Sequence, residues 1–492
     1  MNTTHEMLHQ IVELHSQRNL KDAEILCRRI LEKEPDNADA NHFMGIIAYE
    51  VGRLDIARDY LEKAIRMNPD NPSCYLNLGN IVHEEGKYEE SMAWYEKAIR
   101  LNYADKRKAY NNLGVALTRL GRLNEAVEAF KRSIELDPLY HEAHNNIGET
   151  YKFLGEYDRA LESYEQAVRL SPEFVPARWN RSMLYLLKGD FEKGWAEYEW
   201  RWQRPNTPKR KIDAGMIWDG RPLHEKTLFV YEEQGMGDTL QFIRYLPLIR
   251  HLGGYVIFEV LSPMVRLVES FKGFDRLWVA IRNVDTRPTD RFDFHIPLMS
   301  LPRIFNTRLD TIPKDIPYLQ ADPHLVRLWE KRLETKPGFR IGVVFAGHPE
   351  HANDAVRSTF LSSFSPLKKL KGLQIISLQK EKYEKWTDIS PSEVFDQDLG
   401  EEISDFADTA AIIENLDLII SIDTAVVHLA GALGKEVWTL LPFSPDFRWM
   451  IDREDSPWYP TMKLFRQPQP GDWGAVFEKV GRCLEERLKQ DG

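Results

Sequence analysis

The sequence predicts an α + α/β protein: a solenoid of paired helices over the first two hundred residues, then two consecutive series of alternating strands and helices. Three observations carry this prediction. Gly45, Gly79, Gly114 and Gly148 recur at intervals of 34, 35 and 34 residues, a period that marks stacked supersecondary units. From Lys226 the pattern changes to short apolar runs separated by glycine-bearing turns and amphipathic stretches, as parallel strands with crossover helices require. A second series of the same kind opens at Arg340 and continues to Leu441, so a cleft between two α/β bodies is expected.

In the first part, other positions move with the glycines. Ala57, Ser91, Ala126 and Ala160 each follow a glycine by twelve residues, and Leu61, Tyr95, Phe130 and Tyr164 come four later. Pro69, Pro138 and Pro172 close three of the units. The pattern resembles the tetratricopeptide repeat, in which small residues let two antiparallel helices approach and a large one fills the gap. An earlier unit keeps Ala23 and Pro35 with Ile11 in place of the glycine, and a later one has Ser182, Tyr185 and Tyr198. About six units are therefore expected over residues 4–202, the outer two atypical, as capping units are. Asn77, Asn80, Asn111, Asn112, Asn145 and Asn146 recur at first-helix positions expected to line the concave face. Their amides can hold the backbone of an extended peptide through paired donors and acceptors. That arrangement resembles the asparagine ladder of the repeats in protein O-GlcNAc transferases and implies a protein or peptide partner; a plain solvated face is the rival reading.

Trp195-Ala-Glu-Tyr-Glu-Trp-Arg-Trp202 is dense in aromatic residues and is expected to seal the end of the repeat stack. Pro205, Pro208 and Pro222 mark a boundary, and Arg201, Arg204, Lys209, Arg210 and Lys211 between the halves read as a solvated linker. The expected division is 1–202 repeats, 203–222 linker, 223–322 first α/β lobe and 323–492 second lobe. The net charge of −11 is shared as −8 over residues 1–200 and −3 over the rest, so neither half has the basic excess of a nucleic-acid binder. Cys27, Cys74 and Cys483 lie far apart, which points to neither a zinc framework nor a disulfide scaffold. With no apolar leader and no run of about 18 apolar residues, a cytoplasmic protein without a membrane span is expected.

The α/β part starts with strand Thr227–Tyr231, a turn at Glu232-Glu-Gln-Gly-Met-Gly-Asp-Thr239 and a helix from Leu240 to Leu252. Strand Tyr255 to Val260, a helix from Pro263 to Phe271, strand candidates at Phe292 to Ile296 and Tyr318 to Gln320, and a connecting helix over Asp322 to Leu333 follow. The second series has strands at Arg340 to Ala346, Leu373 to Leu378, Leu416 to Ile422 and Glu436 to Leu441. Leu416–Ile422 runs into Asp423 and Thr424 and then into an Ala- and Leu-rich helix stopped by Gly434. A strand, sharp turn and helix of this kind aims unpaired N–H groups out of the carboxyl edge of a sheet, a place suited to phosphate. His428, four residues after Thr424, shares its helix face. Gly235-Met-Gly237 lacks the full GxGxxG pattern and there is no GxxxxGK[ST], so nicotinamide and P-loop readings are weak.

Gly235-Met-Gly-Asp-Thr-Leu-Gln241 together with Ile422-Asp-Thr-Ala-Val-Val-His-Leu-Ala-Gly-Ala-Leu-Gly434 resembles the two signatures of the heptosyltransferase family (family 9-like) of GT-B glycosyltransferases. The likeness covers roughly residues 216–485. It implies a two-lobed, Rossmann-like GT-B domain with its acceptor side in the first lobe and its nucleotide-sugar side in the second. A tetratricopeptide array ahead of such a domain also resembles the architecture of protein O-GlcNAc transferases, without their catalytic sequence.

The resemblance implies metal-independent inverting transfer from a nucleotide-diphosphate sugar, used as co-substrate with no further cofactor. Such chemistry requires a base for the acceptor hydroxyl and cations or amides for the leaving diphosphate. Asp238 matches the family's catalytic Asp; its other reading is an N-cap for a helix starting near Thr239. Gly235 and Gly237 allow close backbone approach, and Gln241 lies on the same cleft loop. On the donor side, Thr424, Ala425 and the neighbouring amides would hold the diphosphate, with His428 as a further donor and Asp423 on the sugar or as a helix cap. Heptosyltransferases place a phosphate-binding Lys in the region of Gly347–Ser358; here Arg357 stands there, able to grip phosphate bidentately. His348, His351 and Asp354 in that loop lack the spacing of a metal site. Gln379 and Lys380 follow a strand where this fold meets the nucleoside, and Asp405 and Thr409 read as helix caps. Arg448 or Arg453 can help neutralise the diphosphate, and Trp449 and Trp458 are expected to pack. The competing readings are a repeat-based interaction scaffold with a catalytically silent GT-B domain, and a nucleotide-sugar epimerase of the same two-lobed architecture.

Overall fold

The repeated glycines fold as the sequence requires. The computed structural model describes residues 3–490 apart from 206, 208–211, 213–215, 282–290, 334–336, 352 and 381–383. Pro208, Lys209, Arg210 and Lys211 of the expected linker therefore lie outside the described residues. Contacts group the chain into two compact units, Met1–Arg181 and Ser182–Gly492.

Unit 1 is a tetratricopeptide-type helical solenoid. Its helix pairs are Thr4–Ser16 with Leu20–Lys33, Ala38–Glu50 with Leu54–Met67, Pro72–Glu84 with Tyr88–Arg100, Lys106–Arg119 with Leu123–Leu136, and His141–Phe153 with Tyr157–Leu170. Within each central pair the glycine of the first helix lies under the large residue of the second. A Cβ added at Gly79 would stand 2.6 Å from the Tyr95 ring, and one at Gly114 would stand 2.7 Å from Phe130. No side chain fits at such distances, so hydrogen at that position is what allows the two helix axes their separation. Ala57, Ser91, Ala126 and Ala160 are fully buried in the same seams.

Unit 2 contains two all-parallel sheets. The first is built from β1 (Thr227–Tyr231), β2 (Tyr255–Leu261), β3 (Arg276–Ala280) and β4 (Phe294–Pro297), in the order β3-β2-β1-β4. The second contains β5 (Phe339–Val344), β6 (Leu373–Ser377), β7 (Gln397–Asp398), β8 (Leu418–Ile422), β9 (Val437–Leu441) and β10 (Met462–Arg466), in the order β10-β9-β8-β5-β6-β7. Covered parallel strands must be apolar on both faces, and β8 and β9 are buried at every residue. Ile341, Ile420, Leu440 and Phe465 join the inner face of the C-terminal helix Trp473–Gln490 in one core.

The strand orders place two crevices. Each sheet reverses direction beside its first strand, between β1 and β4 in one and between β5 and β8 in the other. The carboxyl edge at such a reversal is where open α/β sheets bind ligands. The Gly235–Gln241 stretch follows β1, and Asp423–His428 follows β8, so each motif stands at its own sheet's reversal point.

Four expectations need correction. Tyr318 to Gln320 is not a strand: the Tyr318 and Leu319 amides donate to the Ala432 carbonyl at 3.0 and 3.2 Å, tying this Pro-flanked segment to the end of a helix. The helix expected from Leu240 begins at Met236, and after Phe242 it tightens to a 3-10 turn before resuming at Leu246–Arg250, where Pro247 has no N–H to give. The expected Pro263–Phe271 helix shortens to a 3-10 turn at Ser262–Met264 and a single turn at Val265–Val268. Arg201 is not a solvated linker residue. It is buried, pairs with Glu233 at 2.7 Å and Glu199 at 2.9 Å, and donates to Ser300 Oγ at 2.8 Å.

The aromatic stretch that ends the repeat pattern belongs to unit 2. Trp195 is buried edge-on against Tyr198, Phe242 and Phe447, and Phe191 stacks on Trp458 at 5.9 Å.

Candidate functional site

The helix after β1 starts at Met236, and the N–H of its N-cap residue, Gly235, donates to Asp238 Oδ2 at 2.8 Å. Asp238 is therefore the third residue of the helix rather than its N-cap, and one carboxylate oxygen folds back to satisfy an end amide. Its other oxygen forms an ion pair with Arg448 Nη2; the two side chains are only 17% and 10% exposed. One turn on, Gln241 is fully buried, and its Oε1 accepts from Arg448 Nε at 2.7 Å.

Gly237 brings the two motifs together. A Cβ there would lie 3.1 Å from His428 Cδ2 and 3.5 Å from Ala425 Cα, so the Met236–Phe242 helix rests against the first turn of the Ala425–Ala432 helix. Neither motif helix could approach this closely with a larger residue at that point.

Thr424 is the N-cap residue of the second helix, in extended backbone at φ −140° and ψ 173°, but its side chain does not cap. Its Oγ1 lies 3.2 Å from Ser421 Oγ instead. The leading amides of that helix, at Ala425 and Val426, thus have neither an intrahelical acceptor nor a capping side chain, the arrangement that binds anions. Arg357 reaches the same turn, donating from Nη1 to the Asp423 carbonyl at 3.0 Å, while its buried Nε has no partner among the described residues.

The charges here are crowded. Burial, then the neighbouring Asp446 carboxylate, push the Asp423 pKa up to about 6, against the pull of Trp449, Arg357 and Arg448. Burial opposes the charge of Arg448, yet Asp446 and Asp238 outweigh it and hold the guanidinium firmly protonated. Asp446 binds Arg448 Nη1 at 2.7 Å and its backbone N–H at 3.0 Å. His351 is held below the usual histidine range by burial and by Arg357, with Asp446, Asp238 and Asp354 acting the other way.

Two residues expected to meet the ligand also make contacts within the fold. His428 is held by the fold at one of its two ring nitrogens. It is buried, stacked on Trp449 at 5.4 Å, with Nδ1 3.1 Å from the Tyr459 hydroxyl, and burial with Arg448 and Arg244 nearby keeps it neutral. Gln379 is engaged within the fold: its Oε1 accepts from Phe345 and Ala346 N–H at 3.2 and 3.1 Å, and its Nε2 donates to the Ala346 carbonyl at 3.2 Å. It ties the end of β6 to the end of β5. Asp354 is likewise occupied, accepting from Ser358 Oγ at 2.6 Å and Trp386 Nε1 at 3.0 Å. Among the described residues no group of three or more His, Cys, Asp or Glu is arranged to hold a metal. Asp405 is a cap as expected, accepting from the Ala407 and Asp408 amides at 2.8 and 3.3 Å. Trp449 and Trp458 are fully buried.

Sequence reasoning missed Asp446 and understated Arg448. Their signal was present: Pro442-Phe-Ser-Pro-Asp-Phe-Arg-Trp449 follows β9 at the same carboxyl edge as the Asp423 turn, and a charged pair at that edge points into the crevice.

In unit 1 the asparagines bind one another. Asn180 Nδ2 donates to Asn145 Oδ1 at 3.0 Å, Asn145 to Asn146 at 3.1 Å, Asn146 to Asn111 at 3.0 Å, Asn111 to Asn112 at 3.3 Å and Asn112 to Asn80 at 2.9 Å. Asn77 Nδ2 lies 3.0 Å from His42 Nε2. The ladder exists, but much of each amide's capacity is used in holding repeat to repeat, and Asn111 and Asn145 are buried.

With this geometry in place, the N-terminal class is defined: residues 44–104 and 106–173 match tetratricopeptide-repeat models. The chain is also 27% identical over 308 residues to Protein FlbA of Caulobacter vibrioides, a match spanning 57% of this chain and 50% of that one. It therefore spans about half the length of the curated relative it matches. Among solved structures, PilF of Pseudomonas aeruginosa aligns over 42% of this chain and 93% of its own, with 17% identity and a TM-score of 0.38. TTC0263 of Thermus thermophilus aligns over 37% and 100%, with 19% identity and a TM-score of 0.32.

Proposed function

We propose that unit 2 is a GT-B glycosyltransferase that moves a sugar from a nucleotide-diphosphate sugar to an acceptor hydroxyl, by inverting displacement, on a protein or peptide held by the repeats. The observation that carries the reading is the meeting of the two motifs at Gly237, which gathers Asp238, Arg357, Asp423, Arg448 and the uncapped amides of Ala425 and Val426 in one place. A carboxylate across from an anion-binding helix start is what such a transfer needs. In this reading Asp238 takes the proton of the acceptor hydroxyl as its oxygen bonds to the anomeric carbon. The bond from that carbon to the diphosphate breaks with its electron pair leaving on the phosphate oxygen, and Arg357 with the Ala425 and Val426 amides receives the negative charge. Arg448 keeps Asp238 and Gln241 in register, and neutral His428 is steadied at Nδ1 by the Tyr459 hydroxyl.

The test is a panel of nucleotide sugars incubated with the whole chain, scored by release of nucleoside diphosphate. Turnover of one of them by the wild type, and its loss in Asp238→Ala with nucleotide binding retained, is the expected result. A second reading has one observation in its favour. Both oxygens of Asp238 are already engaged, by Gly235 N–H and by Arg448, which suits a silent domain behind a repeat-based scaffold. Unchanged turnover in Asp238→Ala would remove the proposed base, and no nucleotide binding at all would favour the scaffold.

A further inference from the structure

The asparagine ladder of unit 1 ends at a pocket. Asn80 Oδ1 accepts from both Tyr95 Oη at 3.0 Å and Asn112 Nδ2 at 2.9 Å. Those two bonds set which end of the Asn80 amide is which, and no hydrogen bond from Nδ2 forms among the described residues. Asn80 lines a cavity of about 250 Å³ with Tyr49, His83, Glu84, Tyr95 and Asn112. At one side, Glu84 Oε1 accepts from the Tyr49 hydroxyl at 2.5 Å, and among the described residues no Lys or Arg pairs with this carboxylate. His83 Nδ1 is buried with no partner. Burial and then the Arg119 charge hold His83 below its ordinary pKa, so at neutral pH the ring carries no charge to repel a cation.

The lining thus offers a donor at Asn80, a carboxylate acceptor at Glu84 and tyrosine rings beside them, with no Lys or Arg among its residues. A ligand carboxylate would face Glu84 uncompensated, whereas a cation would complete the carboxylate and gain from the aromatic faces. The net charge of −8 over residues 1–200 favours the approach of a basic chain. We infer that this pocket is a subsite for one Lys or Arg side chain of an extended polypeptide, with the cation on Glu84 and an adjoining main-chain carbonyl on Asn80 Nδ2. The inference rests on the repeats being a partner-binding surface and is independent of sugar transfer.

The test is fluorescence anisotropy with the intact chain and three labelled peptides, acetylated (Gly-Lys)4, (Gly-Gln)4 and (Gly-Glu)4, at physiological salt. The lysine peptide is expected to bind and the other two not. Glu84→Gln, which still accepts from Tyr49, should weaken it roughly tenfold, as loss of one charge-assisted contact does. Glu89→Gln, an equal charge change on an exposed residue outside the pocket, should leave binding within about twofold, both variants unfolding at the wild-type temperature. Equal weakening by the two variants would show diffuse attraction to an acidic surface and overturn the subsite. So would binding of the glutamine peptide as tight as the lysine one, or no binding of the lysine peptide. Nucleotide-sugar turnover measured in the same sample separates the two ideas: turnover without Glu84-dependent binding removes only the subsite, and the reverse removes only the transferase.

Discussion

Asp423→Asn should stabilise the protein at alkaline pH, and the effect can be worked from its surroundings. Asp423 lies at the end of β8, where burial and Asp446 raise its pKa to about 6, net of Trp449, Arg357 and Arg448. An unfolded aspartate titrates near 4. The folded state therefore holds a proton that the unfolded state has released across roughly pH 4 to 6. Because the folded pKa is the raised one, the contribution is fully present below the unfolded value and is lost as pH rises through about 6. A shift of about two units corresponds to at most about 3 kcal/mol. Asparagine keeps the shape without the charge, so the variant should exceed wild type by up to that amount at pH 8 and match it near pH 4. Thermal unfolding followed by tryptophan fluorescence reads this directly. At about 2–4 °C per kcal/mol for a domain of this order of size, the gap at pH 8 should be several degrees. No gain at pH 8, or the same gap at pH 4 and pH 8, would refute the assignment of Asp423 as a destabilised carboxylate held in the site. Such a cost at a charged turn is the usual signature of a position kept for binding rather than for stability.

Three further outcomes follow from the packing. Gly114→Val should place its side chain into the Phe130 ring and destabilise unit 1 by about 1–3 kcal/mol, seen as a lower urea midpoint; an unchanged midpoint would mean the helices do not meet as described. Gly237→Leu should force the two motif helices apart, with a cost of similar size and loss of nucleotide binding; binding intact would show that their contact is not needed for the site. Arg448→Met leaves Asp238 and Asp446 without their cation and should cost about 3–5 kcal/mol, seen as a lower urea midpoint; an unchanged midpoint would show that the ion pairs do not hold this crevice together.

How much of this could be read beforehand varies with the physics behind each feature. The Gly79 to Tyr95 and Gly114 to Phe130 seams were legible because a steric requirement repeats every turn of the solenoid and leaves the same residue types each time. Strands β1, β5, β8 and β9 were legible because a strand covered on both faces must be apolar throughout. Strands β3 and β10 were not: β3 is short and mostly unburied and Lys463 interrupts the apolar run of β10, as edge strands tolerate. The turns at Asp238 and Asp423 were identified from their neighbours in the chain, but the pairing of Asp238 with Arg448 spans 210 residues and no local pattern carries it. His428 shows the converse case. Helical spacing put it beside Thr424 correctly, while the tertiary contacts with Trp449 and Tyr459 that decide its role were invisible. The asparagines show a third: the ladder was visible as a repeat, but not that its members satisfy one another.

The most direct measurement of the central claim is nucleoside diphosphate release from a panel of nucleotide sugars by the wild type and by Asp238→Ala, with nucleotide affinity measured alongside. The account predicts that one donor is turned over, that Asp238→Ala lowers its turnover by roughly a hundredfold or more, and that affinity for the nucleotide is kept. Equal turnover by the two proteins, or no nucleotide sugar bound by the wild type, would contradict it.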